Sequence, residues 1–430
     1  MKGAARCYGK LREYLGTVPL IDCHDHSGEC GPKYADPIQM AATGYFASDL
    51  HSASSDRDMD IMCVTERPFE ERWAAFERAW KRSRHTGYAR VVKIAIKKFY
   101  GEDDLTRESY ARIKDKMLNL QAPSVFEGIL EDAKIAARLE DVWPDTRKVL
   151  DGTLKLTPRA RLVIGIPGYH AICNYDGVQS MVAPLNRRVT SLDEYIAACR
   201  EIFEGWKRFG AVAFKDQSAY SRSLDYGNPT RAEAEAVFNW IVEDPRRRAS
   251  YPDQIKPLDD FLFHEFMRMA RDMELPVQIH TGHMAGIRND IAKTNAVHLT
   301  KVLELHRDVK FDLFHANWPY SGELLYLAKN FPNVAIDFCW ANIIDPVYCQ
   351  NMFKQALSSV PHGKIHGYGS DYCGQVEMSW AHAKIARDNI AIALSDMVEM
   401  EYLDLDEAKE VARAWMFDNA NEFFKLGVKA

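Results

Sequence analysis

No stretch of the 430-residue sequence approaches the roughly 20 apolar residues a membrane-spanning helix needs, so a helical membrane protein is not expected. Charge of either sign is in little excess. Lys and Arg number 55 against 61 Asp and Glu, a formal net charge of −6, and no basic stripe is present to neutralise phosphates. Nucleic acid and anionic membrane are therefore poor partners, and a small molecule is the expected one. The nine cysteines are odd in number and scattered without a CxxC pair, which argues against a disulfide scaffold and for reduced thiols in a cytoplasmic protein. The opening MKGAARCYGKLREYLG lacks the apolar core of a signal peptide, so export is not expected. Neither an internal repeat nor a low-complexity linker interrupts the chain.

What is present suffices to bury a sizeable core: 47% of residues are hydrophobic and 27% charged, an ordinary globular balance. Short apolar runs rich in β-formers alternate with amphipathic stretches, the pattern of an α/β protein with parallel strands. Eight such runs can be drawn: Val18 to Cys23, Ile135 to Val142, Arg161 to Ile166, Ala211 to Lys215, Pro276 to His280, Val309 to His315, Val334 to Phe338 and Lys364 to Gly369. Eight βα units predict a (β/α)8 TIM barrel, with residues 1–430 forming a single domain. Residues 48–133 contain ERPFEERWAAFERAWKRSRH and LTRESYARIKDKMLNL, charged, amphipathic and nearly free of glycine. They predict a helical insertion after the first strand. Such an insertion lies on the face of the barrel where the βα loops build active sites, as a pocket wall or as a contact in a homo-oligomer.

The chemistry gathers at strand ends. In VPLIDCHDH, His24 and His26 stand two apart at the end of an apolar run, so both imidazoles project from one side of the extended chain toward one divalent cation. PVQIHTGH closes another run with His280, and VKFDLFHANWP closes the next with His315. KIHGYGSDYCG places Asp371 after the last run, with Gly367 and Gly369 permitting close backbone approach. GAVAFKDQ ends the fourth run with Lys215, a cation poorly solvated there unless partnered. Paired histidines alone are an ordinary feature of polar loops; recurrence at successive strand ends is what points to a site. Trp318 and Trp340 follow the sixth and seventh runs, where they wall a pocket or merely pack a loop. Of the remaining histidines, His283 and His170 are kept as pocket residues. His264, in FHEFMRMA, lacks the HExxH spacing and is read as an ordinary helix residue.

The ordered set His24, His26, Lys215, His280, His315 and Asp371 resembles the amidohydrolase superfamily. Its members are barrels with HxH on the first strand, histidines on the fifth and sixth, and aspartate on the eighth. AFKDQSAYSR, FHANWPYSGELLYLAKNFPNVAIDF and GYGSD are similar to the amidohydrolase-2 group, in particular to FluG-type amidohydrolase domains, while QIHTGHMAGIRND is similar to the corresponding loop of uronate isomerases. The resemblance implies Arg288 and Asn289 as binders of a substrate carboxylate or hydroxyl. From the FluG-type pattern it implies Tyr220 and Arg222 as substrate residues, although Ser221 separates here a Tyr and an Arg that are adjacent in that pattern.

It further implies hydrolysis of an amide, ester or lactone-like bond in a small, carboxylated substrate by metal-activated water. His24, His26 and His280 hold the metal, and Asp371 binds or adjoins it and moves the proton. His315 is either a ligand of a second metal or a stabiliser of the oxyanion. Lys215 is a carboxylated bridge between two metals, an unmodified partner of the substrate carboxylate, or a structural cation. One or two divalent ions are expected per chain, Zn2+ first, with Mn2+ or Fe2+ compatible. Metal-dependent decarboxylation of an aromatic or enol acid and uronate-type aldose-ketose isomerisation stand as alternative reactions, and a non-catalytic binding barrel as the remaining one.

Overall fold

The computed structural model describes residues 2–429. Eight strands, β1 (Leu20–Asp25), β2 (Ile135–Glu140), β3 (Ala160–Gly165), β4 (Ala213–Asp216), β5 (Val277–Ile279), β6 (Phe311–Leu313), β7 (Val334–Asp337) and β8 (Ile365–His366), form one parallel sheet in sequential order. The ring is joined just beyond β8. Cys23 N donates to Tyr368 O at 3.1 Å, Asp371 N to His24 O at 2.7 Å and His26 N to Tyr372 O at 3.1 Å. The sheet is thus a (β/α)8 barrel, as the eight apolar runs predict.

Alternation along the strands divides the core in two. Leu20, Ile135, Leu162, Phe214, Val277, Phe311, Val334 and Ile365 point outward into a large apolar layer shared with the helices. Ile21, Cys23, Ala137, Leu139, Val163 and Ala213 line the interior, stopped from below by Phe417, Ala420 and Phe424. Removing each large side chain from water stabilises the fold by roughly 1.5–3 kcal/mol. Outer helices obey local rules as well. Leu192–Phe209 begins with a capping box, Ser191 and Glu194 each bonding the other's backbone amide, and ends at Gly210, whose φ of 116° few other residues tolerate.

Six of the eight strands are shorter than their apolar runs, β1 and β3 being shifted rather than shortened, and at β6 the chain turns out of extended geometry soon after the strand end. β6 stops at Leu313, and His315, Ala316 and Asn317 adopt φ of 58°, 50° and 52°. β1 instead runs on through His24 to Asp25. The helical insertion begins earlier than residue 48. It runs from Pro37–Ala42 to Pro123–Asp132, because Asp36 caps the Gln39 amide and Pro37 sits at the first helical position. Its buried Phe46, Trp73, Phe76, Trp80 and Tyr88 form a second apolar cluster that also takes in Cys339, Trp340 and Tyr372 from the loops after β7 and β8. The insertion therefore covers part of the mouth of the barrel.

Candidate metal centre

β1 carries His24 into the mouth and His26 immediately above it, their ring centroids 4.5 Å apart. Asp371 gathers both: one carboxylate oxygen lies 3.2 Å from His24 Nε2 and 3.3 Å from His26 Nε2, and the other lies 3.7 Å from His315 Nε2. His315 Nε2 is also 3.1 Å from His280 Nδ1. Lys215 brings Nζ to 3.5 Å from His24 Nε2 and 3.4 Å above the centre of the Phe314 ring. All six strand-end residues thus meet. Of the cluster, His26 alone opens appreciably to solvent, with its side chain 28% exposed against 6% or less for His24, His315 and Asp371. Access is therefore from its side.

Local backbone geometry aims these groups. His315, Cys339 and Asp371 occupy the left-handed region at φ of 58°, 36° and 62°, a strain of order 1–3 kcal/mol each that turns the chain at the strand end. Gly369 permits the tight join: a Cβ there would meet Cys339 Sγ at 2.7 Å and His24 N at 3.1 Å.

The outer ring nitrogens of two histidines are already held. His26 Nδ1 meets Asp141 O at 2.7 Å and His280 Nε2 meets His283 O at 2.9 Å, so each donates its N–H outward and turns the other nitrogen into the cluster. Burial, reinforced by Lys215, lowers the pKa of His24 well below the usual range and that of His280 to about 3. Burial and the neighbouring His280 do the same to His315. Burial opposes protonation of His26 too, but its hydrogen bond to Asp371 and the charges of Asp141 and Asp371 raise it to about 9. Against its own burial, Asp371 is held well below the ordinary carboxylate range by His24, His26 and His315. Burial thus favours the neutral form of His24, His280 and His315, the form that binds metal, and the donor set of imidazoles and carboxylate suits a divalent cation. The donors fall into two sets, His24, His26 and Asp141, and His315, Cys339 and Asp371, within each of which one atom per residue lies within 4.8 Å of the others.

Asp141 and Cys339 were not singled out from sequence, although Asp141 directly follows β2 in RLEDV and Cys339 stands two residues past β7 in AIDFCW. Asp141 has both carboxylate oxygens buried without a hydrogen-bond partner. Tyr45, whose hydroxyl donates to Asp371 O, comes from the insertion and carries no motif.

The expected substrate residues divide. Trp340 is buried beside His315, with centroids 5.4 Å apart, and His283 lies 4.9 Å from Trp340 and 5.3 Å from Trp318. Tyr220 is half exposed, its ring 4.7 Å from His280. His283, Trp318, Arg288 and Asn289 line a cleft between the insertion and the loop after β5. Arg288 there is exposed and paired with Asp56, while Asn289 donates to Met284 O and Ala285 O and so shapes its own loop. Arg222 is not brought to the mouth set: its guanidinium is buried against Asp259 and Asp260, at 2.6 Å from each. His170, expected in the pocket, is buried in the same network, bonded to Asp259 and 3.8 Å from Asp216. His264 is a helix residue bonded to His306 and Gly227 O. All nine cysteines are free, and no helix among the described residues is long and apolar enough to cross a membrane.

Residues 247–426 match the amidohydrolase family model. A stretch of 226 residues is 24% identical to the fluG protein of Emericella nidulans, covering 50% of this chain and 26% of that protein, so the chain spans about a quarter of this curated relative. Among solved structures, the uronate isomerase of Thermotoga maritima superposes with a TM-score of 0.77 at 16% identity over 97% of each chain. The glucuronate isomerase of Caulobacter crescentus gives 0.72 at 16%, over 100% of this chain and 95% of its own. A Lactobacillus casei structure described as a metal-dependent hydrolase gives 0.68 at 19%, over 97% of each. At such identities the structural likeness is one of fold. The chain's resemblance is to the amidohydrolase family, whose sequence pattern runs through residues 247–426, the span that carries His280, His315 and Asp371.

Proposed function

We propose that the protein is a metal-dependent hydrolase of an amide, ester or lactone-like bond in a small, carboxylated substrate. The observation that carries this reading is the convergence of His24, His26, His280, His315 and Asp371 at the barrel mouth, with His26 and His280 turned inward by carbonyl bonds to their other nitrogens. His24, His26, His280 and Asp371 would hold a divalent cation, and the second donor set leaves room in the chemistry for another. Such a cation supplies Lewis acidity and a water acidified toward neutral pKa.

The chain's own residues do the rest. Asp371, kept ionised by its imidazole neighbours, accepts the proton of the attacking water on a carboxylate oxygen and returns it to the leaving group. His315 donates from Nε2 to the oxygen on which negative charge develops. Lys215, an unmodified ammonium, pairs with the substrate carboxylate; burial lowers its pKa, and Asp141 and Asp371 oppose that. Trp340, Trp318 and His283 wall the entrance and exclude water from one side.

One observation favours isomerisation as a second reading: both isomerase structures align over 97–100% of this chain. The full chain, supplemented with Zn2+ or Mn2+, is tested on panels of carboxylated amides, esters and lactones and of sugar acids, with and without chelator, and carbon dioxide is measured in parallel. Chelator-sensitive hydrolysis supports the proposal. Ketose formation without hydrolysis replaces it with the isomerase, carbon dioxide release with a decarboxylase, and inertness toward every panel in metal-loaded protein with a binding barrel.

A further inference from the structure

Below the mouth, the barrel interior holds another set of metal-binding side chains. Cys23 of β1, Asp337 of β7 and His366 of β8 each present one donor atom, and these lie within 4.8 Å of one another. Exposure is 1% for Cys23 and nil for Asp337 and His366. Their level is set by neighbours: Asp337 and His366 are register partners, and the His366 ring rests on Phe423 and Phe424 at the floor, with centroids 4.9 and 5.6 Å away.

His366 Nδ1 lies 2.9 Å from Asp312 Oδ1, a contact that fixes the proton on Nδ1 and leaves a bare lone pair on Nε2. That Nε2 is buried without any partner. Gln278, which donates to Cys23 O at 2.9 Å and to Asp312 at 3.3 Å, likewise keeps Oε1 buried and unpartnered in this layer. Asp337 takes the Cys339 amide on Oδ1 at 2.8 Å, and Asp312 and Asp337 together bring two carboxyls into a space that excludes solvent. A thiol, an imidazole nitrogen and a carboxyl contributed by three strands thus converge on one point, an arrangement a shared cation would satisfy at once. Elsewhere the interior is apolar, with Leu139, Val163 and Ala213 beside Cys23.

We propose that the barrel interior binds a structural divalent metal on Cys23, Asp337 and His366, distinct from the mouth centre. Thiolate and imidazole select a zinc-class ion over magnesium or calcium. Because none of the ligands reaches solvent, the ion enters during folding and resists chelators that strip the mouth. It ties β1 to β7 and β8, across the place where the ring of strands is joined.

Cobalt is the probe. The full chain is produced with Co2+, its metal content is measured, and the near-ultraviolet thiolate-to-cobalt band is recorded. Cys339 adjoins the mouth, so a triple variant, His24→Ala/Asp371→Ala/Cys339→Ser, removes the one thiol of the mouth sets and two of their other donors. It is expected to keep one equivalent of cobalt and the band, while Cys23→Ser loses one equivalent and the band. Folded triple variant without the thiolate band, whether or not it retains cobalt, or Cys23→Ser with undiminished metal and band, overturns the proposal. Should Cys23→Ser fail to fold by circular dichroism, the triple variant decides alone.

Discussion

Replacing Arg222 by Met distinguishes a cation that holds the fold from one that greets a substrate. In the structure Nη1 bonds Asp259 and Nη2 bonds Asp260, each at 2.6 Å, and the guanidinium lies 4.3 Å from the centre of the Tyr226 ring. Removing one partner of a buried pair costs about 3–5 kcal/mol, because the stranded carboxylate stays desolvated. Both aspartates keep other contacts, Asp259 with His170 and Asp260 with Lys256 at 2.7 Å and with the Gly227 amide at 2.8 Å, so the lower end, about 3 kcal/mol, is expected. Unfolding entropy near 2 cal/mol/K per residue makes 1 kcal/mol worth about 1 °C in a chain of this length, so Tm should fall by about 3 °C. Thermal unfolding followed by circular dichroism reads this, alongside metal content, which should not change. A Tm within about 1 °C of the parent, together with weakened binding of carboxylated ligands, would refute the reasoning and return Arg222 to the substrate.

Asp371→Asn should lower kcat by about 10²–10⁴, and His24→Ala should lose mouth metal, both with the parent circular dichroism spectrum; full activity in either sinks the proposed chemistry. Lys215→Met should raise KM for a carboxylated substrate about 10–100-fold, the worth of a charged hydrogen bond, with a smaller change in kcat. An intact mass carrying an added carboxyl group would contradict the unmodified lysine. For His170, burial opposes the proton, but Asp259 and Asp216 raise the pKa from 6.5 to about 9. Its stabilisation is therefore fully present below about pH 6.5 and disappears as pH rises through about 9, on the order of 3 kcal/mol. Urea midpoints of the parent should decline over that window more than those of His170→Asn, and equal declines would count against the pairing.

The mouth cluster was legible because its residues stand at or just past the ends of apolar runs: His24, His280, His315 and Asp371 lie where hydrophobic periodicity stops, and a strand end in a parallel barrel has one direction to face. His366 and Cys23 escaped because they lie within strands, where a lone polar residue in a buried run carries no period of its own. The burial of Arg222 was hidden for a different reason: its partners, Asp259 and Asp260, lie on the helix Lys256–Asp272, and nothing local announces a pairing across that separation. Tyr45 comes from the insertion, whose packing over the mouth is a tertiary fact. The early start of that insertion was written in Asp36 and Pro37, a cap that amphipathic periodicity does not register.

The ring of strands meets its own tail at β1 and β8, near the two extremes of the chain, and no covalent connection bridges that join. What holds it are the amides of Cys23, His26 and Asp371. Two of those residues are donors of the mouth and the third belongs to the inner set. A fluctuation that parts the two ends therefore disassembles both constellations while the outer helices are still packed. Loss of function should precede loss of shape on gentle denaturation, and exchange of those three amides with deuterium should report it first.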